Sequence, residues 1–569
     1  MSTHPRAPRL ALLATTAAVC LAMPLGQAAA ALVDEPVRSS APGAAIALDP
    51  VGTYETGVFD ESAAEIVEYY AAGRRLLVVN AAEATVEVLD ASDPSAPSKL
   101  FDLQTTGVLA ADGTSVPADA VANSVAVRED GLGVVAVEAP DKTDPGWLVF
   151  FDAAGDGAAL GAVRAGSLPD MVTITPDGTR AVVANEAEPA EDYSVDPEGT
   201  ISVVSLPDAV AVPPQSAVRT ADFHDFEGGA LPAGIRVYGG RADAGTGNPA
   251  RPVSENLEPE YVTVDQQSRT AYVTLQEANG VAVVDLRSAT VVDIWSLGTV
   301  DRSRVPLDAS DRDGVNIRTY DNLRTFRQPD AIASYQVRGR TYLVTADEGD
   351  TRDWDGYSEE IRVSDLGKDG LAPACNPVKA GNGFAGLSRL KITTADGLNA
   401  AGTCFETLHG FGGRSLSIFT ADGRLVSSSG ADLERMTAAA VPASFNSDHG
   451  DSAFDNRSDD KGPEPEGLTV GKVAGRTYAF LGLERVGGVV AFDITDPQSP
   501  RLVTWTNDRD FSVSGSSDLA RAGDLGPEGL AFIAGDESPT GRPLVAVGSE
   551  VSGTTTLFDV ARTGKGARP

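Results

Sequence analysis

The chain has 569 residues, 45 basic and 81 acidic, for a net charge of −36. So negative a surface repels nucleic acid and anionic membranes and attracts cations, which excludes nucleic acid as a partner. A hydrophobic content of 42% with 59 glycines and 35 prolines describes a folded chain dense in turns.

In chain order, residues 1–31 read as a secretory signal. Arg6 and Arg9 supply the positive start, Leu10 to Leu25 the apolar segment and Ala28-Ala29-Ala30 the cleavage site. The apolar run is too short for a comfortable membrane span, and no later segment replaces it. A released, extracellular protein without a membrane span is therefore expected, and a monomer. Residues 32–44 are small, polar and proline-containing, and read as a linker.

From 45 to 560 one pattern recurs. An apolar strand is followed by a turn, a second strand ending on a polar or acidic residue, a loop, and a third strand closing on Asp or a near equivalent. Leu76-Leu77-Val78-Val79-Asn80 with Val86-Glu87-Val88-Leu89-Asp90 is the first copy. Leu544-Val545-Ala546-Val547 with Thr555-Thr556-Leu557-Phe558-Asp559 is the last. Such repeats, too small to bury their faces alone, predict an all-β fold, a single β-propeller with long rim insertions. Seven units are clear, and Arg414-Ser415-Leu416-Ser417-Ile418-Phe419 would make an eighth. The strand Ala45-Ile46-Ala47-Leu48 precedes the first unit and is expected to complete the last sheet, closing the ring and removing its edges. Insertions are expected at about 207–256 and 366–412, a short helix at Asp432 to Ala440, and a disordered tail at 561–569. Cys375 and Cys404 are expected to pair in an oxidising compartment, two free thiols being the alternative.

Five of the first strands open on a proline and an acid: Pro169-Asp170, Pro259-Glu260, Pro329-Asp330, Pro465-Glu466 and Pro527-Glu528. With Glu65, these acids begin the strands that line a propeller's central channel. Glu138, Glu186, Glu277, Glu348, Glu484 and Glu550 end the second strands. Antiparallel neighbours bring both sets to one mouth. Crowded carboxylates raise each other's pKa or take a counter-ion. With only His224, His409 and His449 beyond residue 31, an oxygen-ligand cation such as Ca²⁺ is favoured; solvent-exposed turn caps are the alternative. Asp308, Asp311 and Asp313 before Gly314 match Asp350, Asp353 and Asp355 before Gly356. Such spacing suits a Ca²⁺ loop, although neither copy has the glutamate that completes an EF-hand, and plain Asp-Gly turns give the same pattern. Lys461, Arg485, Arg414 and Arg352 are the cations near these acids, and could neutralise a metal-bound phosphate or simply pair with acids.

Four stretches carry a family resemblance: Val51 to Asp60, Leu307 to Gly314, Arg457 to Gly467 and Glu550 to Thr556. They resemble the choice-of-anchor I family over about residues 46–560. The resemblance implies a secreted or surface propeller whose relatives are labelled surface-glycoprotein-like or alkaline-phosphatase-like. Lys461 to Gly467 is also similar, over a short stretch, to the Gly-x-Glu-Gly turn of phytase-like propellers. Two functions follow. One is an extracellular module that binds divalent cations, probed through calcium, and presents loops to an extracellular partner. The other is a calcium-dependent phosphoesterase acting on a phosphorylated small molecule, with Lys461, Arg485 and Arg414 as its cationic residues.

Overall fold

The computed structural model describes residues 32–238, 252–380 and 385–563. The expected signal at 1–31, and the end of the expected tail from 564, lie outside the described residues. Among these residues no helix is long and apolar enough to cross a membrane.

Seven antiparallel sheets of four or five strands follow one another. The first holds Val67–Tyr70, Arg75–Asn80, Thr85–Asp90 and Ser98–Gln104. The second holds Val121–Val127, Leu132–Glu138, Pro145–Asp152 and Ala159–Ser167. The third holds Pro169–Ile174, Arg180–Asn185, Thr200–Ser205 and Val218–Ala221. The fourth holds Pro259–Val264, Thr270–Leu275, Gly280–Asp285 and Thr290–Ser296. In the fifth are Ile332–Val337, Arg340–Asp347, Ser415–Thr420 and Leu425–Ser428. The sixth begins with Pro465–Val473, Arg476–Leu483, Val489–Asp493 and Arg501–Asn507. Pro527–Ile533, Leu544–Ser549 and Thr554–Arg562 make the seventh, with Ile46–Glu55 as its outer strand.

The second and third strands are buried on both faces, which is why they read as unbroken apolar runs such as Val134-Val135-Ala136-Val137. Each sheet shares its core with the next. Val79 and Val86 of the first pack with Val135 and Val149 of the second. Val344 and Ile418 of the fifth pack with Leu481 and Val490 of the sixth. Ala546 and Leu557 of the seventh sheet pack with Val67, Leu76 and Val78 of the first.

Several expectations are corrected. Arg414 to Phe419 begins no separate unit: Ser415–Thr420 pairs with Arg340–Asp347 as the third strand of the fifth sheet. An insertion over 348–414, larger than expected, splits that sheet and leaves its third strand looking orphaned in sequence. Part of the 207–256 segment is not insertion, since Val218–Ala221 is the fourth strand of the third sheet. The presumed linker contains Val37–Ser40, which pairs with Arg501–Asn507 as a fifth strand of the sixth sheet. Ala561 and Arg562, assigned to the tail, finish the last strand opposite Ala47 and Ile46. The helix forms at Asp432–Ala440, and Cys375 and Cys404 form a disulfide inside the large insertion.

Strand alternation fixes where loops emerge. The ends of second strands, the starts of third strands and the starts of first strands lie at one end of the sheets. The 348–414 insertion and the connections 222–258, 429–464 and 508–526 therefore all leave and rejoin the sheets at that end.

Candidate functional site

The proline–acid pairs are one backbone device used repeatedly. Pro169, Pro259, Pro465 and Pro527 pair with Asn185, Leu275, Leu483 and Ser549, after which the register slips within the next two or three residues. The acid sits in that slip, and such a bulge re-aims its side chain off the regular pleat. The residue before the proline has a left-handed φ in three of these places: 44° at Leu168, 49° at Glu464 and 68° at Gly526. Its carbonyl accepts the backbone N–H of the acid ending the second strand, Glu186 to Leu168 at 2.9 Å, Glu484 to Glu464 at 2.9 Å and Glu550 to Gly526 at 2.8 Å. One turn thus seats Asp170 with Glu186, Glu466 with Glu484 and Glu528 with Glu550. Glycine follows the acid in the sixth and seventh sheets because neighbouring sheets touch there. A Cβ on Gly467 would overlap the Glu528 carbonyl, and one on Gly529 would lie 2.6 Å from the Glu65 carbonyl oxygen.

These turns surround a cavity of about 510 Å³. Eleven carboxylates line it: Asp170, Glu186, Glu188, Glu260, Asp330, Glu348, Asp350, Glu466, Glu484, Glu528 and Glu550, with Gln276, His449, Lys461 and Arg485. A second, narrower space of about 120 Å³ is bounded by Glu65, Asp170, Asp330, Glu528, Met171 and Tyr261 among others. Of the twelve acids picked from sequence, nine line the larger cavity, and Glu65 lines the smaller, which shares Asp170, Asp330 and Glu528 with it. Two do not. Glu138 is turned to Asn123, whose amide lies 3.4 Å from it. Glu277 is buried beneath the rim, where the Arg352 charge faces it.

Burial and mutual repulsion raise the pKa of most acids in this ring. Burial, with Glu188 and Glu138 nearby, pushes Asp170 up to about 7. Burial and Glu484 push Glu550 up to about 7. Glu348 rises to about 7 through burial even though Lys461 opposes it. Asp350 does likewise, to about 7. Burial carries Glu65 to about 8. Glu186, Glu260, Asp330, Glu466 and Glu528 are all driven well above the carboxylate range by burial and by neighbouring acids.

Glu464 is the exception. Burial works against its ionisation, yet Lys461, Arg457 and Arg485 hold it well below the usual range. Arg457 grips it at 2.9 and 3.2 Å, Arg485 Nε reaches it at 3.2 Å and Lys461 Nζ at 3.4 Å. The two cavity cations are thereby fixed in place. Lys461 also meets Glu348 at 2.7 Å, and Arg485 meets Glu484 at 2.9 Å.

Other site expectations are corrected. Arg414 is buried away from the cavity. It bonds Glu434 and the carbonyls of Asp308 and Asp460 at 2.7 Å and that of Ser458 at 3.0 Å, fastening the 457–462 turn. Arg352 is likewise buried, clamped to Glu258 at 2.7 Å and to Asn256. The two Asp-rich loops do not gather their acids around a point. Asp311 is held by Arg389 at 2.8 and 3.0 Å, Asp313 accepts from the Asn316 amide at 2.7 Å, and the buried Asp308 accepts the Asn316 backbone N–H. Asp353 and Asp355 are exposed, and only Asp350 turns to the cavity. Among the described residues, the groups of three or more His, Cys, Asp or Glu able to reach one ion are His449, Glu484 and Glu550, and Glu348, Glu466 and Glu484, both in the cavity.

Sequence reasoning passed over Glu188, Glu464, Gln276 and His449. Glu464 stands one residue before the Pro465-Glu466 pair, and its position before that proline was a usable signal. His449 carried none, since it reaches the cavity on the long connection before the sixth sheet.

The mesenchyme-specific cell surface glycoprotein of Strongylocentrotus purpuratus is 32% identical over 283 residues, 43% of this chain and 36% of that protein. Gigasin-3a of Magallana gigas is 30% identical over 184 residues, 31% of this chain and 64% of that protein. The chain thus spans less than two thirds of either relative's length. Among solved structures, Kuenenia stuttgartiensis hydrazine synthase has a TM-score of 0.43 at 13% identity, covering 90% of this chain and 99% of that chain. The Cps50 (Swd1) β-propeller domain of Myceliophteria thermophila gives 0.38 at 10% identity, covering 90% and 100%. The family model described as the choice-of-anchor I domain matches residues 65–497, so the chain belongs to that family.

Proposed function

We propose that this is a seven-bladed propeller, closed by its N-terminal strand, that serves as an extracellular binding module and holds divalent cations, calcium foremost, at its acid mouth. The observation that carries the reading is the imbalance of the cavity: eleven carboxylates face two cationic side chains. Oxygen ligands in that number suit a hard cation, and a bound ion would offset repulsion that protons offset in its absence. The likeness to a cell surface glycoprotein supports placement outside the cell. A partner would meet the ion and the loops that rise around it. The test is calorimetric titration of chelator-treated protein with calcium. Binding that is lost in Glu466→Gln supports the reading; absence of any heat and of any thermal shift overturns it.

A second reading is favoured by one observation, that Lys461 and Arg485 border the same cavity as the acids. In a phosphoesterase the acids would hold a metal that supplies activated water, while Lys461 and Arg485 would neutralise the phosphoryl oxygens. Arg414, bonded elsewhere, has no part in it. Hydrolysis of a phosphomonoester that needs calcium, stops with chelator and is lost in Glu466→Gln would replace the pure binding reading. No turnover in either condition removes the enzyme.

A further inference from the structure

The two sets of convergent ligands in the cavity share a member. Each places its ligand atoms within 4.8 Å of one another, and Glu484 belongs to both. One set completes Glu484 with Glu348 and Glu466, all oxygen donors. The other completes it with Glu550 and an imidazole, His449. The carboxylate in common is itself incompletely used. Glu484 is 5% exposed; its Oε1 meets Arg485 at 2.9 Å, while its Oε2 has no partner. Glu260 on the same wall is 8% exposed and its Oε2 also lacks a partner. Buried polar atoms are nearly always bonded, so orphaned oxygens on carboxylates that line a cavity point to a missing electropositive ligand.

His449 brings the one nitrogen donor to these sets. Arg485 Nη1 lies 3.0 Å from both ring nitrogens, so Arg485 is the contact that an ion at this position would displace. Neutral imidazole is the form in which histidine ligates metals. Its loop is fastened from behind, the Asp448 carbonyl accepting from Arg509 at 2.7 Å and the Asp448 N–H bonding Asn456 at 2.9 Å.

We propose that the mouth holds two adjacent cations bridged by Glu484, of different kinds: a hard ion such as Ca²⁺ beside Glu348 and Glu466, and a first-row ion such as Mn²⁺ or Zn²⁺ beside His449 and Glu550. The inference rests on the cation-binding reading above and refines it. A nitrogen donor strengthens binding of first-row ions and does little for Ca²⁺, which prefers oxygen. The two positions therefore differ in selectivity by one side chain.

The experiment uses the full chain, stripped with chelator and titrated with CaCl₂, with MnCl₂, and with MnCl₂ after calcium saturation, followed by calorimetry and by electron paramagnetic resonance of Mn²⁺. The expected result is one calcium and one further manganese per chain. His449→Ala should weaken manganese at least tenfold while leaving calcium within twofold, and Glu484→Gln should weaken both. His449→Gln, which keeps the size of the side chain, guards against loss of the loop, and unchanged thermal unfolding of the stripped variants shows that they fold. Calcium binding with no additional manganese, or manganese affinity indifferent to both His449 substitutions, overturns the paired site and leaves the simpler reading intact. Failure of every cation to bind overturns both.

Discussion

The acid mouth and the rim above it are both buried, charged and built from loops, and they are neutralised in opposite ways. In the rim three buried arginines are held by the chain's own acids and carbonyls. Arg414 holds Glu434 and three carbonyls, Arg352 holds Glu258, and Arg302 is bonded to Thr325 and to the carbonyls of Gly412 and Gly413. At the mouth the acids outnumber the cations, and both cations are already engaged by Glu464. The chain supplies partners for the rim cations, whereas the mouth keeps an excess of acids. Buried charge that the chain leaves unbalanced marks a candidate functional site.

The comparison can be broken most forcefully from the rim side. Arg414→Met leaves Glu434 buried without its charge partner and is expected to cost about 3–5 kcal/mol in chemical denaturation. An unchanged midpoint would mean that the rim does not depend on its pairing. Opening the Cys375–Cys404 disulfide with Cys375→Ser and Cys404→Ser together is expected to cost about 3–4 kcal/mol for a loop of this length. Early proteolysis within 366–412 is the readout.

The mouth should respond to solution conditions where the rim does not. Calcium at about a hundredfold excess over its Kd is expected to add about 2.7 kcal/mol to the stripped protein. The pH dependence has a definite sign. Glu348 and Glu550 move from an ordinary 4.5 to about 7 on folding. Below pH 4.5 folded and unfolded chains both carry these protons. Between there and about 7 only the folded chain does, so the stripped protein loses stability as pH rises through that window. The calcium-induced rise in Tm should grow over the same window, and a flat profile would contradict the charge imbalance. The smallest effect has the reverse sign of the first. Glu260→Gln, which spares the folded chain the uptake of a proton at neutral pH, is expected to stabilise the stripped protein by about 1 kcal/mol and to weaken calcium binding.

The fold was legible because each sheet repeats one apolar pattern, and the ring of acids because a proline precedes five of them. What escaped was whatever depended on chain segments far apart in sequence. The fifth sheet is interrupted by 348–414, so its third strand looked like a unit of its own. Arg414 and Lys461 look alike as cations beside acids, yet one is seated among carbonyls and the other in the cavity. The Asp308 loop has the spacing of a calcium loop, but Arg389, 78 residues on, takes Asp311. Spacing reports local geometry; it does not report which distant partner arrives first.

The pairing of Ile46–Glu55 with Thr554–Arg562 has a consequence for biosynthesis. The strand Ile46–Glu55 waits for Thr554–Arg562, made about 500 residues later, or roughly 25–100 s at ordinary ribosomal rates. For that interval the nascent chain carries an unmatched β edge, a template for wrong pairing with a neighbouring chain. A ribosome that stops short of residue 554 releases a product that cannot mask it.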